Sequence, residues 1–206
     1  GSMSAFLSNA PDRHESSSSS TLIAIPNPEG EIDTFEVFSV QTMSKKLAES
    51  LPNVKSYVGR NVSNKSHALR ITITPQGFFG MTTGSMHGQT FINPFAKNTN
   101  TYLAFSKMDA VSNNTQAFRC EVVENNTVNR PRGPVTNPKF IDGGVLRKYQ
   151  IGVATTVEYS EFQWLAAGLT AGDTDSDKKD AVQAAIVVSI DRLNQIYERD
   201  LGVTLE

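Results

Sequence analysis

A series of short strand-like runs, each bounded by glycine, proline or asparagine, constrains the fold more than any other feature of this chain. The runs are rich in β-branched and aromatic residues, and the run over residues 32–40 alternates its side chains between two faces. Asn27-Pro28-Glu29-Gly30 favours a turn, so we expect the first two runs to pair as a hairpin. The pattern predicts a compact, mostly antiparallel sheet. Its strands are expected at residues 21–26, 32–40, 55–60, 68–74, 77–83, 89–95, 101–107 and 117–123.

One short helix is predicted within this series of strands. Met43, Leu47 and Leu51 recur at helical spacing behind Thr42, a residue type that caps helices, and Pro52 follows them. We therefore expect a helix over residues 42–51 with Thr42 as its cap.

The last sixty residues follow a different pattern. Apolar side chains at alternate positions from residue 149 to residue 159 predict a strand, and Asp173, Asp175 and Asp177 suit the start of a long helix. A second strand is expected from Leu201, which gives a β-α-β unit. One apolar stripe along the helix is expected to be its buried face, and it consists of Val182, Ala185, Ile186, Ile190, Leu193 and Tyr197.

Composition divides the chain into four parts and predicts an α+β fold. Residues 1–20 contain a serine run and few apolar groups, so we expect a disordered leader, at whose start Gly1-Ser2-Met3 is typical of an expression-tag remnant. Residues 21–128 form the β-rich body. Residues 129–145 are rich in proline and glycine and are interpreted as an exposed linker. Residues 146–206 hold the β-α-β segment, whose apolar surface we expect more chain to cover.

The charge balance argues against two classes of partner. The 206 residues include 19 basic and 21 acidic side chains, a net charge of −2, which gives no electrostatic basis for binding nucleic acid or an anionic membrane. No apolar run approaches the roughly 20 residues that a membrane-spanning helix needs. We predict no nucleic-acid partner and no membrane span.

Several phrases of the sequence carry a resemblance to a known family. In the body these are IPNPEG (25–30), TFEVF (34–38), LPNVKSYVGR (51–60), ITITPQGF (71–78) and FINPF (91–95). Downstream they are LRKYQIGVA (146–154) and NQIYERDLGVT (194–204). In this order they resemble the N-terminal pro-region, followed by the first strand, first long helix and second strand, of reprolysin-like (metzincin) zinc metallopeptidases secreted by bacteria.

The resemblance implies a function for the chain and a location for it in relation to the cell. A pro-region of this kind assists folding of its peptidase, blocks the cleft until export is complete and is then cut away. The chain would be secreted or lie at the cell surface, and its partner would be the remainder of its own metallopeptidase domain. The zinc cofactor would belong to that parent domain and not to this chain, in which the H-E-x-x-H-x-x-G-x-x-H motif is missing. This chain is therefore not expected to be an enzyme.

Another class of function stays open beside this one. The β-rich body would also suit a surface-binding or structural module of an exported protein. The discriminating observation is whether a zinc-binding motif follows in the gene.

Cys120, the single cysteine, is the candidate inhibitory zinc ligand. A thiolate on a catalytic zinc displaces the water that acts as nucleophile, and the neighbouring Arg119 favours the thiolate form. The alternative is inert packing, because Cys120 lies between Phe118 and Val122 and free cysteine is often a small buried hydrophobe.

The linker carries candidate maturation sites. Exposed segments of this composition are preferred sites of proteolysis, and the prolines around the two arginines would protect that stretch, which favours residues 139–146. An uncut linker is the alternative. The candidates are Arg130, Arg132, Lys139, Asp142, Gly143 and Gly144.

The histidines and aspartates do not form a predicted metal site. His14, His67 and His87 lack ligand-like spacing and are expected to be solvated loop residues. The aspartates at 173, 175 and 177 lack the glycine and glutamate of a calcium loop, so a solvated helix start is the better interpretation.

Overall fold

The computed structural model describes residues 3–96, 99–110 and 144–206, and within them a seven-stranded antiparallel sheet follows the chain order. Its strands are β1 (Leu22–Pro26), β2 (Ile32–Val40), β3 (Lys55–Asn61), β4 (Ala68–Thr74), β5 (Gly77–Ser85), β6 (Gly88–Pro94) and β7 (Tyr102–Ser106). Two further strands, β8 (Arg147–Tyr149) and β9 (Val203–Leu205), pair in parallel. The helices are α1 (Met3–Leu7), α2 (Lys45–Ser50), α3 (Val157–Ala166) and α4 (Asp175–Leu201), and a 3-10 turn covers Lys107–Asp109.

The predicted α+β class and the antiparallel body are confirmed. Each of the first seven predicted runs is a strand, and β1 and β2 form the expected hairpin with Pro26 opposite Ile32. The run predicted at 117–123 lies outside the described residues. None of the described helices combines the length and apolar content that crossing a bilayer requires.

One face of the sheet carries the main apolar core. On β4, Leu69, Ile71 and Ile73 point into this core, whereas Arg70 and Thr72 are buried on the opposite face. β4 is therefore covered on both sides. The core consists of Leu7, Ala10, Ile23, Ile25, Phe35, Val37, Tyr57, Leu69, Ile71, Ile73, Phe78 and Ile92.

The expected disordered leader is ordered from residue 3 onward. Leu7 at the end of α1 is fully buried in the core. The chain then runs beside β2, where Ser39 N donates to Pro11 O at 2.8 Å and Arg13 N donates to Ser39 O at 3.1 Å. The structure differs from the expectation because Leu7 and Ala10 in the core, together with a short backbone ladder, order a segment whose average composition is polar.

The short helix α2 begins later than predicted and has a different cap. Ser44 is its N-cap, with its hydroxyl accepting from Leu47 N at 3.4 Å. Thr42 is buried instead on the helix side of the sheet, where its hydroxyl has another partner.

The predicted β-α-β unit is confirmed, with a shorter first strand. β8 and β9 are parallel and are joined through α3 and α4, which supply the crossover that parallel pairing requires. The strand predicted as far as residue 159 ends at Tyr149. Thr156 caps α3 by accepting from Tyr159 N at 3.2 Å, so a local capping signal overrides the alternating pattern.

α4 lies across the sheet with a different face inward from the one predicted. Among the stripe residues only Val182 is buried, and Leu193 is 41% exposed. α4 contacts β4 and packs against Met43, Leu51 and Val54, so the predicted body and the 146–206 segment share buried contacts. The buried residues of α4 are Ala181, Val182, Ala184, Val187, Val188, Asp191, Asn194 and Gln195.

A glycine in β5 permits a close approach of two backbone segments. Gly84 has φ of +82°, and a Cβ atom placed there would lie 2.0 Å from the carbonyl oxygen of Ser66. We predict that Gly84→Ala lowers the free energy of unfolding by about 3 kcal/mol, because it adds a clash to the cost of a left-handed backbone.

Urea denaturation of matched variants checks this. Gly30 has a similar φ of +86° but open space around its Cβ position, so Gly30→Ala is expected to lose only about 1 kcal/mol. Equal losses for the two variants would show that the contact with Ser66 does not restrict this position.

Candidate functional site

The most concentrated polar chemistry lies between the sheet and α4, around the fully buried carboxylate of Asp191. Oδ1 accepts from Thr42 Oγ1 at 2.6 Å and from Arg70 Nε at 3.0 Å. Oδ2 accepts from Ser56 Oγ at 2.5 Å and from Thr72 Oγ1 at 2.7 Å. We call these five residues the Asp191 cluster. Its four donors fill the roughly four acceptor positions of a carboxylate.

The sheet fixes the positions of these donors. Ser56 on β3 lies directly opposite Thr72 on β4, and Arg70 lies two residues before Thr72 on the same face. Thr42 follows the end of β2. The backbone of the sheet therefore places three hydroxyl groups and one guanidinium group around the position that the Asp191 carboxylate occupies.

A second carboxylate on the same helix face completes the charge balance. Glu198 Oε2 accepts from Arg13 Nη1 at 2.7 Å, and Glu198 Oε1 accepts from Arg13 Nη2 at 3.2 Å. Both terminal nitrogens of Arg70 lie 3.4 Å from Glu198 Oε1, which also accepts from Thr204 Oγ1 at 2.8 Å. Arg70 is thus held between Asp191 and Glu198.

The surroundings of Glu198 favour its charged form. Burial by itself raises the pKa of Glu198, but the hydrogen bond from Arg13, the charges of Arg70 and Arg13, and the Thr204 hydroxyl outweigh that effect. The pKa of Glu198 is therefore held below its ordinary value.

Three more polar residues of α4 bind groups on either side of the clustered charges. Gln195 Nε2 donates to Thr83 Oγ1 on β5 at 3.0 Å. Asn194 donates to Leu205 O at 2.8 Å and accepts from Leu205 N at 2.7 Å. Arg192 donates to Asn93 Oδ1 at 2.6 Å, and its guanidinium carbon lies 5.1 Å from the centre of the Phe91 ring. These contacts extend the interface from β3 and β4 to β5, β6 and β9.

This arrangement is suited to holding two parts of the molecule together. Asp191 is fully buried and each of its acceptor positions already has a donor from this chain, so the carboxylate is not open to a substrate. The cluster therefore acts as a binding interface between the sheet and α4.

An apolar groove of about 590 Å³ lies on the outer side of α4. It runs between α4, the segment before α3 and the start of α2, and Lys178 at its rim lies 5.2 Å from the centre of the Trp164 ring. Its apolar lining includes Met43, Leu47, Ile151, Val153, Trp164, Val182, Ile186 and Ile190. The stripe predicted to be the buried face of α4 thus contributes to an open groove.

Most of the site residues predicted from the sequence are not placed by the structure. Cys120, Arg130, Arg132, Lys139, Asp142 and Gly143 lie outside the described residues, so the inhibitory and maturation roles stay predictions. Gly144 is described, is exposed and has φ of +63°. Among the described residues, no group of three or more histidine, cysteine, aspartate or glutamate side chains is arranged to hold a metal ion.

Two of the three histidines are not the solvated loop residues that we expected. His67 is 4% exposed, packs edge-on against Phe35, and has no hydrogen-bond partner for Nε2 among the described residues. Burial lowers the pKa of His67, and the nearby Asp33 carboxylate offsets only part of this effect. His87 Nδ1 lies 2.9 Å from Glu29 Oε2, whereas His14 is exposed as predicted.

The Asp191 cluster was missed at the sequence level, although the sequence contains a signal for it. Asp191, Asn194, Gln195 and Glu198 recur at helical spacing and therefore lie on one face of α4. Arg70 stands in the middle of a strand that is otherwise made of β-branched and apolar residues. A polar stripe and a strand arginine are each usually solvent-facing, and their complementarity emerges only when the two elements are packed together.

Comparisons of the chain with protein-family models, with curated proteins and with solved structures each gave no match.

We predict that Asp191→Asn lowers the free energy of unfolding by about 3 kcal/mol, because an amide would remove the buried charge and direct N–H groups at two of the four donors. Urea denaturation measures the loss. Asp180→Asn, at an exposed position of the same helix, serves as control and is expected to change stability by less than about 0.5 kcal/mol. Equal effects would show that the cluster does not stabilise the fold.

The shifted pKa of Glu198 predicts a pH dependence. Its folded pKa lies below the ordinary value of 4.5, so its stabilising contribution is present above that value and is lost as the pH falls through the folded pKa. Glu198→Gln is therefore expected to be less stable than the native chain near pH 7, with the two stability curves converging in acid.

Chemical denaturation between neutral and acid pH tests this expectation, with Glu161→Gln on the exposed surface of α3 as control. A constant difference between Glu198→Gln and the native chain at every pH would contradict it.

Proposed function

We propose that this chain is the pro-domain, together with the first β-α-β unit, of a secreted zinc metallopeptidase precursor. In this proposal the sheet keeps the peptidase latent, assists its folding, or does both, and the chain has no hydrolytic activity of its own. The observation that carries the proposal is the Asp191 cluster, through which the sheet binds the main helix of the β-α-β unit.

The cluster supports a folding role because it fixes α4 against a sheet of separate topology. The same helix face reaches β9 through the paired hydrogen bonds of Asn194 with Leu205. Gln41 Nε2, which follows β2, also lies 3.3 Å from Glu206 Oε1 beyond β9. A sheet that positions the helix and one strand of a β-α-β unit is suited to act as its template.

The apolar groove supports the proposed partner, the remainder of the metallopeptidase domain. Ile151 and Val153 are 38% and 49% exposed, and they line the same groove as Trp164. A concave surface that combines exposed apolar side chains with polar ones is suited to a contact with another part of a protein. We assign that contact to the domain that would follow β9.

The zinc ion of the proposed precursor is assigned to that following domain. The described residues do not supply a ligand set for it. Cys120 is proposed as the inhibitory thiolate ligand on the sequence argument alone, since it lies in the connection between β7 and β8. The proposed location is outside the cell or at its surface.

A peptide-hydrolysis assay on the complete precursor tests the proposal. We expect the gene to encode H-E-x-x-H-x-x-G-x-x-H after residue 206, and the intact precursor to hydrolyse a peptide library at least about 100-fold more slowly than its cut form. If Cys120 binds zinc, Cys120→Ser raises the activity of the uncut precursor, while the matched change Ser112→Ala leaves it unchanged.

Two outcomes would overturn the proposal. A gene without the zinc-binding motif would favour the alternative, a β-rich surface-binding or structural module. Equal activity of uncut and cut precursor, together with unaided folding of the peptidase domain, would remove both the latency and the folding roles.

A further inference from the structure

The sheet face beneath α4 has the composition of a receptor for carboxylates. Thr42, Ser56, Arg70, Thr72 and Thr83 present hydroxyl groups and one guanidinium, and all five residues are buried and hydrogen-bonded to Asp191 or Gln195 of α4. They come from the end of β2 and from three successive strands, so their spacing is set by backbone pairing. Such a surface is preorganised for an anionic ligand.

The helix presents the complementary groups in a single row. Asp191, Asn194, Gln195 and Glu198 follow the i, i+3, i+4, i+7 spacing with which helices dock into grooves. α4 also has its own end signals, since Thr174 caps its N-terminus and Gly202 ends it with φ of +61°. The ligand groups are therefore displayed by an element with local determinants of its own.

The hydrogen bonds of the Asp191 carboxylate join two parts of the described chain. They link residues 42–72 with Asp191, and Arg13 and Arg70 likewise reach Glu198, whereas the Thr204 hydroxyl reaches Glu198 from within the second part. Residues 111–143 join the two parts along the chain, and a covalent connection raises the local concentration of one part near the other.

We propose that the sheet is a receptor for an acidic helix with the pattern Asp-x-x-Asn-Gln-x-x-Glu, and that α4 remains bound to it without a covalent connection. The inference rests on the proposed function in so far as a cut within the linker, residues 129–145, is the maturation step. It adds that this cut leaves a non-covalent complex, which the Asp191 carboxylate holds together. Release of α4 then requires a second event that breaks the buried charge pairing.

The test uses the full chain with a site-specific protease sequence in place of residues 130–135. After cleavage, sedimentation and size-exclusion measurements follow the two pieces over a dilution series from about 10 µM to about 10 nM. We expect the native pieces to stay together in the micromolar range. Asp191→Asn is expected to raise the dissociation constant at least about 30-fold, and Asp180→Asn, the matched helix control, leaves it unchanged.

A variant on the sheet side keeps the inference testable if Asp191→Asn does not fold. Thr72→Val keeps the shape of the side chain and removes one donor, so we expect a rise in the dissociation constant of about 5-fold. Circular dichroism of the uncut variants establishes which of them are folded. If uncut Asp191→Asn is unfolded, the comparison of Thr72→Val with the native chain decides.

Separation of the native pieces at about 10 µM, or equal dissociation constants for Asp191→Asn and Asp180→Asn, would overturn the inference. No peptidase activity is measured here, so the outcome is distinct from that of the hydrolysis assay. Pieces that stay bound beside a precursor that is not latent would overturn the proposed function alone. Pieces that separate beside a latent precursor would overturn the receptor alone.

Discussion

The contact of one buried carboxylate with one buried guanidinium organises this molecule. Removing Asp191 and Arg70 from water costs several kcal/mol for each ion, and this cost is offset only when the remaining hydrogen-bonding positions are also filled. Three hydroxyl groups fill the remaining positions on Asp191, and Glu198 takes the other end of Arg70. These hydrogen bonds can form together at only one rotation of α4 about its axis and at one position along that axis. The pair of Asp191 and Arg70 therefore determines how α4 lies on the sheet.

The orientation of α4 explains why its apolar stripe faces outward. Turning that stripe toward the sheet would leave Arg70 buried opposite aliphatic groups, which costs more than the burial of a few methyl groups recovers. The sheet is consequently covered by apolar residues on one face, whereas α4 covers the other face with apolar residues in its first half and with polar residues from Asp191 onward. β4 belongs to both layers, with Ile71 in the core and Arg70 at the helix.

Local patterns in the sequence were sufficient for the strands and for the β-α-β unit. Alternation and turn residues predicted β1 through β7, since neighbouring strands pair without long-range information. The face of α4 and the order of the first twenty residues were not predictable in this way. Both depend on partners far away in sequence: Asp191 on Ser56 and Thr72, and Leu7 on the apolar face of the sheet. The strands and the helix that carry the candidate site were thus predictable from the sequence, whereas the way in which their side chains meet was not.

Asn194 has a consequence of its own, because its side chain pairs with Leu205 as a neighbouring strand would. A primary amide is the smallest neutral side-chain group that offers a donor and an acceptor side by side. Aspartate lacks the donor, leucine lacks both groups, and glutamine places the same amide one methylene farther out. The side chain of Asn194 therefore fixes the position of β9 along α4. The short parallel pair of β8 and β9 is positioned by this contact with α4 as well as by the hydrogen bonds between its two strands.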